Sequence, residues 1–278
     1  QEGPYRHLSV FTEVISRIKS DYVEEPDMKS VTQGALSGLL EAIDPYASYL
    51  SAEQYKTYLK SRDELKGDVG LILARRYGYV GIVDAIPGSP AAKAGLSTGD
   101  VLEAIKNIST RDMPLAYAEQ LLRGDPGTSV EVSVLRIRKP EPQKIALSRA
   151  VIGYPHVTSK TLSDQFGYIQ AESLAGRTAE IAEAARTLEK QGAKKLILDL
   201  RHAATGSPEE GIAVANIFLD KGLITYLEGQ KVPRQDFQAD PAKTISRLPL
   251  AVLTNRGTAG GAEIAAAALL NARRAEVV

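Results

Sequence analysis

The sequence predicts a multidomain α+β protein, and three changes in hydrophobic spacing predict it. Apolar residues recur at intervals of three and four over residues 1–64, alternate with polar ones in stretches of 65–152, and form short continuous runs between amphipathic stretches over 153–278. The first spacing belongs to helices, the second to half-buried strands, the third to buried strands alternating with helices. A chain of 278 residues also exceeds one ordinary core, at roughly 100–200 residues per domain.

In the first segment Val10, Val14, Ile15 and Ile18 form one helical stripe and Val31, Ala35, Leu36, Leu39 and Leu40 another. Pro26 bars continuation between them, and Asp27 stands where a cap is needed. Asp44-Pro45 marks the next turn, and Ser51-Ala52-Glu53-Gln54 opens a third helix. A small helical domain ending near residue 64 is expected. Tyr22, Tyr46 and Tyr49, at its junctions, are expected to pack with their hydroxyls reaching solvent.

In the second segment Val69, Leu71 and Leu73, then Val80 and Ile82, then Val130, Val132, Val134 and Ile137 read as strands. Between them lie the turn Pro87-Gly88-Ser89-Pro90, a short helix at 91–94, a turn at Gly99-Asp100, and a helix over 114–123 closed by Gly124. In the third segment 166–169, 195–200 and 250–253 read as strands, and 179–191 and 208–218 as helices. Continuous apolar strands between helices predict a parallel sheet covered on both faces. The polar stretch 231–243, with two prolines, is expected to be a mobile surface loop.

Composition removes several classes of function. With 34 basic and 34 acidic residues of mixed order, the chain has no electrostatic footprint for nucleic acid or anionic lipid. The longest apolar run, residues 264–270, falls short of the roughly 18–20 residues of a spanning helix, so a membrane-spanning chain is not expected. The absence of cysteine excludes disulfides and thiol nucleophiles. His7, His156 and His202 are far apart in sequence, so neither a metal site nor a cofactor is expected. The first residues carry no export signal.

The most informative stretch is Leu253-Thr254-Asn255-Arg256-Gly257-Thr258-Ala259-Gly260-Gly261-Ala262-Glu263-Ile264, a strand passing through a glycine-rich turn into a helix. Nucleophiles and oxyanion donors occupy such turns. A phosphate cradle is the weaker reading, because no Lys-Ser or Lys-Thr follows the glycines. Together with Ala85-Ile86-Pro87-Gly88-Ser89-Pro90-Ala91-Ala92-Lys93-Ala94-Gly95-Leu96 and Gly99-Asp100-Val101-Leu102, it resembles the C-terminal processing, or tail-specific, serine peptidases with an embedded PDZ domain. The resemblance covers nearly the whole chain. It implies an N-terminal helical domain over 1–64, a circularly permuted PDZ domain over 65–152, and a crotonase-like α/β peptidase core over 153–278, truncated at its C-terminal end.

In that family a serine at the turn attacks the scissile carbonyl and a buried lysine takes its proton. The match puts the nucleophile position at Gly260, which has no side chain, and the lysine past Val278, so the gene product is expected to continue. The implied oxyanion donors are the backbone amides of Gly261 and of Gly206, in Thr205-Gly206 after Asp199-Leu200-Arg201. Thr205 and His202-Ala203-Ala204 depart from the family's loop. Thr258 offers a nearby hydroxyl, but a misplacement of even ~1 Å can cost ~100-fold in rate, so it reads as a turn residue. Glu263 reads as a partner of the helix dipole, His202 as a loop residue rather than a general base, and Lys194, Lys195 and Lys221 as solvated charges.

A PDZ groove adds an extended peptide to a sheet edge while loop amides hold its terminal carboxylate. The resemblance implies that Gly67-Asp68-Val69-Gly70-Leu71 is that loop, with Asp68, Val69, Gly70, Leu71 and Leu73 as peptide-binding residues facing Leu115 and Leu122. The plainer alternative makes Gly67 and Gly70 hairpin glycines. Asp68 stands where the family often has a second glycine. Directed inward, its charge disfavours an incoming carboxylate; directed outward, it is screened. Both orientations stay open. Two functions also stay open: a serine-type endopeptidase acting on captured protein tails, or a catalytically inactive pseudopeptidase that binds peptides or proteins. The implied partners are protein or peptide C-termini, the implied location is periplasmic or at the cell envelope, and homo-oligomerisation is an open alternative.

Overall fold

Three helices begin the chain: α1 (Pro4–Asp21), α2 (Met28–Glu41) and α3 (Ala52–Glu64). The structure is a computed structural model that describes residues 4–44, 47–64, 66–136, 139–163 and 165–278. Tyr46 and Ile137 therefore lie outside the described residues. Asp27 caps α2 as expected, accepting from the Lys29 amide at 3.0 Å. Val10 and Val14 of the α1 stripe stay exposed, and neither hydrophobic core among the described residues draws on these three helices. Tyr22 is exposed rather than packed, because it lies just past the end of a helix whose apolar face is itself open. Tyr49 is half-buried.

An antiparallel sheet follows, formed by β1 (Leu71–Arg76), β2 (Tyr79–Ala85), β3 (Val101–Ile105), β4 (Ile108–Ser109), β5 (Ser129–Arg136) and β6 (Lys139–Ser148). Its order is β1-β2-β3-β5-β6, with β4 paired to β3. Alternation does what the sequence implies: Val130, Val132 and Val134 are buried while Glu131 faces water. Two short helices close the unit, α4 (Pro90–Lys93) and α5 (Leu115–Leu122). Ser89 caps α4 by accepting from the Ala92 amide at 3.1 Å, with Pro90 at its first position, where a missing N–H costs nothing.

Arg149 ties α5 to this sheet. Its Nε donates to the Leu122 carbonyl at 2.7 Å, Nη2 to the Leu121 carbonyl at 3.0 Å, and Nη1 to the Ser129 carbonyl at 3.0 Å and the Thr128 hydroxyl at 3.1 Å. The cation thus sits at the C-terminal end of α5, where the helix dipole and its unpaired carbonyls favour it.

The last segment is a second sheet of β7 (Thr158–Ser163), β8 (Phe166–Gln170), β9 (Lys195–Asp199), β12 (Leu250–Leu253) and β13 (Ala275–Val277), in the order β13-β12-β9-β8-β7. All pairings are parallel except β7 with β8. Helices α6 (Thr178–Lys190), α7 (Pro208–Phe218) and α8 (Gly261–Asn271) connect the strands. The expected parallel sheet is present, and its core holds Ile169, Leu196, Leu198, Phe218, Val252 and Leu269. The expected loop at 231–243 is instead the second half of a two-stranded hairpin, β10 (Leu223–Gly229) with β11 (Val232–Gln238), followed by a 3-10 turn at Pro241–Lys243. This ribbon is largely exposed, so no apolar alternation marks it, and an open-edged strand tolerates Pro233. Among the described residues no helix is long and apolar enough to cross a membrane.

Replacing Arg149 by Met would leave buried carbonyls of α5 without donors, each costing about 1–3 kcal/mol. We expect the urea midpoint of Arg149→Met to fall accordingly; an unchanged midpoint would remove Arg149 from this role.

Candidate active site at the strand-to-helix turn

In a parallel sheet the loops leaving the carboxyl ends of neighbouring strands meet, and ligands bind in the crevice between them. Here β9 and β12 are neighbours with Asp199 opposite Leu253, so loop 200–207 and loop 254–260 lie side by side. Hydrogen bonds lock them together. The Leu200 amide donates to the Leu253 carbonyl at 2.9 Å, and the Ala259 amide to the Ala203 carbonyl at 3.0 Å. Thr258 is buried and its hydroxyl donates to the Leu200 carbonyl at 2.8 Å. Asn255 Oδ1 accepts from the amides of His202 and Gly257 at 3.1 and 2.9 Å.

The helices behind these loops touch through glycine. A Cβ on Gly211 of α7 would lie 2.1 Å from the Gly261 carbonyl oxygen, and one on Gly261 would lie 2.5 Å from the Ser207 carbonyl. Neither position accepts a side chain without moving a helix. Gly260 differs. It has φ 60° and ψ −123°, a conformation open to glycine and strained for other residues. A Cβ there would meet the Gly206 carbonyl oxygen at 3.7 Å, an ordinary contact. The position has room for a side chain, but its backbone conformation would strain any residue other than glycine. Gly206, Gly260 and Gly261 are thus brought together.

Both helices start on a glutamate cap. Glu263 Oε2 accepts from the Gly260 amide at 3.1 Å, and Glu210 Oε2 from the Ser207 amide at 2.8 Å. Thr205 donates to buried Ser173 at 2.8 Å.

Two ionisable clusters flank the loops. Asp199 ends β9 fully buried and accepts from Arg201 Nε at 2.9 Å and from the Tyr168 hydroxyl. Burial pushes its carboxyl pKa up, but the bonds from Arg201 and Tyr168 outweigh that and hold it below the ordinary carboxylate range. The Tyr168 hydroxyl is raised, first by burial and then by Asp199. On the other side His202, at φ 64°, places Nδ1 2.9 Å from Oδ2 of buried Asp84 on β2. Its Nε2 is 2.9 Å from Asn255 Nδ2. Because Asn255 Oδ1 already accepts two amides, its Nδ2 donates to His202 Nε2, which leaves the histidine proton on Nδ1, facing Asp84.

Models of known families fit this arrangement: that of peptidase family S41 matches residues 165–278, and that of the PDZ domain matches residues 81–136. The chain is 34% identical over 256 residues to the carboxy-terminal processing protease CtpA of Bacillus subtilis, covering 91% of this chain and 54% of that protein. Residues 165–278 thus form a peptidase family S41 domain, and residues 81–136 a PDZ domain. The chain is also 29% identical, over an alignment of 286 positions, to the carboxy-terminal-processing protease of Bartonella bacilliformis, covering 100% of this chain and 65% of that protein. In three dimensions it is similar to the photosystem II D1 C-terminal processing protease, with a TM-score of 0.78 and 26% identity, covering 96% of this chain and 79% of that one. The chain spans between about half and two thirds of the length of these two curated relatives.

In the domain before the S41 domain, a cleft of about 250 Å³ runs beside β1, lined by Asp68, Leu71, Leu73, Glu119, Leu122 and Arg123, among others. Of the residues expected at the groove, Val69 is fully buried and Gly70 abuts Ser89 behind it. Leu115 turns into the core, because 115, 118 and 122 form the inward stripe of α5; the groove side presents Glu119 instead. A larger cleft of about 960 Å³ follows α8, with Lys221, Tyr226, Glu263, Ile264 and Asn271 on its walls. Lys194, Lys195 and Lys221 are exposed. Sequence reasoning missed Asp84; its one signal was an acidic residue inside the apolar strand Val80-Gly81-Ile82-Val83-Asp84-Ala85.

Asp199 has a folded pKa below its unfolded value. Its contribution to stability is therefore complete above the ordinary Asp pKa of about 3.9 and is lost as pH falls through the lower folded value. Urea titrations of the protein and of Asp199→Asn should show a gap that narrows as pH is lowered through that window; a pH-independent gap would contradict this.

Proposed function

We propose that this chain captures extended polypeptide in its PDZ groove and presents it to a turn that has the S41 geometry without the attacking hydroxyl. One observation carries the reading: position 260, beside Gly206 and at the head of α8, is a glycine held at φ 60° and ψ −123°. The nearest hydroxyl in the turn, that of Thr258, is committed to the Leu200 carbonyl. As written, the chain is a binding member of a serine peptidase family rather than a serine nucleophile. The amides of Gly206 and Gly261 are the donors an oxyanion would use. The names of its relatives support polypeptide as the bound class, and we propose the cell envelope as its location.

The endopeptidase reading is the alternative, and it requires a hydroxyl at position 260. Gly260→Ser supplies one. In the full-length protein, we expect a fluorophosphonate, which labels activated serines, to leave the unaltered turn unmodified and to modify Gly260→Ser at residue 260. The protein itself should also leave an unstructured polypeptide uncut. Cleavage by the unaltered protein, or labelling at another residue, would overturn the assignment of the turn.

A further inference from the structure

We infer, resting on the groove reading above, that the cleft beside β1 takes extended segments without a free terminal carboxylate, because Asp68 already occupies the carboxylate's place. Asp68 is fixed by its backbone, which exchanges two hydrogen bonds of 2.9 Å with Ala150. Its side chain turns inward. Oδ1 accepts from the Gly70 amide at 2.8 Å, and Oδ2 lies 3.7 Å from Arg123 Nε at the end of α5. The Gly70 amide belongs to the expected carboxylate-holding loop, and Arg123 is a cation on the wall of the same cleft. A terminal carboxylate would have to take these donors from an internal one, and charge-assisted bonds of this kind are the strong ones.

Charge opposes it as well. Glu119 lines the same cleft; burial raises its pKa, Asp68 adds to the rise and Arg123 opposes it. A third carboxylate would enter beside two, and like charges at such range disfavour each other. The rest of the groove suits a peptide. Leu71, Leu73, Ile86 and Leu122 supply apolar lining, and β1 is an edge strand of its sheet, open to strand addition. An internal stretch or a blocked tail keeps all of these contacts and brings no competing anion.

The test is fluorescence anisotropy with one labelled apolar peptide ending in alanines, made as the free acid and as the amide. It is titrated against the protein, Asp68→Gly and Asp68→Asn. The protein should bind the amide at least as tightly as the acid. Asp68→Gly frees the Gly70 amide and should favour the acid by about tenfold, the worth of one charge-assisted hydrogen bond. Asp68→Asn keeps an acceptor for Gly70 but loses the charge, and should fall between. Tighter binding of the acid by the unaltered protein, or an acid-to-amide ratio unchanged in both variants, would overturn the inference while leaving the groove in place. No binding of either peptide to any of the three would instead overturn the groove reading, and this inference with it.

Discussion

The approach of α7 to α8 is the constraint on which the site depends. Backbone meets backbone where Gly211 faces the carbonyl of Gly261, and a methyl group at either position would separate the helices. With the helices in contact, their first turns sit over the ends of β9 and β12, and Gly206, Gly260 and Gly261 become neighbours. The two helix N-termini then bring their positive dipole ends to the same region. Glu210 and Glu263 cap their amino ends, so the left-handed turn at Gly260 rests on two capped helix starts.

A second tie links the antiparallel sheet to the same loops. Asp84 is on β2, His202 follows β9 and Asn255 follows β12, and two consecutive contacts connect them. Asn255 also holds the amide of Gly257, three residues before Gly260. Displacement of β2 would therefore be felt in the turn through one imidazole and one carboxamide. The Asp84 carboxylate is buried, and losing its partner would leave a buried charge to be solvated.

Much of this architecture was legible because it rests on periodicity. Leu250-Ala251-Val252-Leu253 reads as a buried strand from its unbroken apolar run, and the glycines after it read as a turn from their lack of side chains. The alternation of Val130, Val132 and Val134 located a core strand. The ribbon at 223–238 was partly hidden, since with both faces wet its sequence carries no alternation to detect. Asp84 and His202 are 118 residues apart, and nothing local in either segment announces the other. The orientation of Asp68 was equally invisible, because it depends on the backbone bonds to Ala150 and on Arg123 across the cleft. Helix α5 was visible, yet which of its faces meets the groove depended on docking, which turned Leu115 inward and Glu119 outward.

The most direct measurement is thermal unfolding of Gly211→Ala. A methyl group 2.1 Å from the Gly261 carbonyl oxygen forces α7 and α8 apart, and overpacking of this kind costs about 1–3 kcal/mol. The account predicts a lower Tm together with faster amide exchange at Gly260 and Gly261. An unchanged Tm with unchanged exchange at both residues would contradict it.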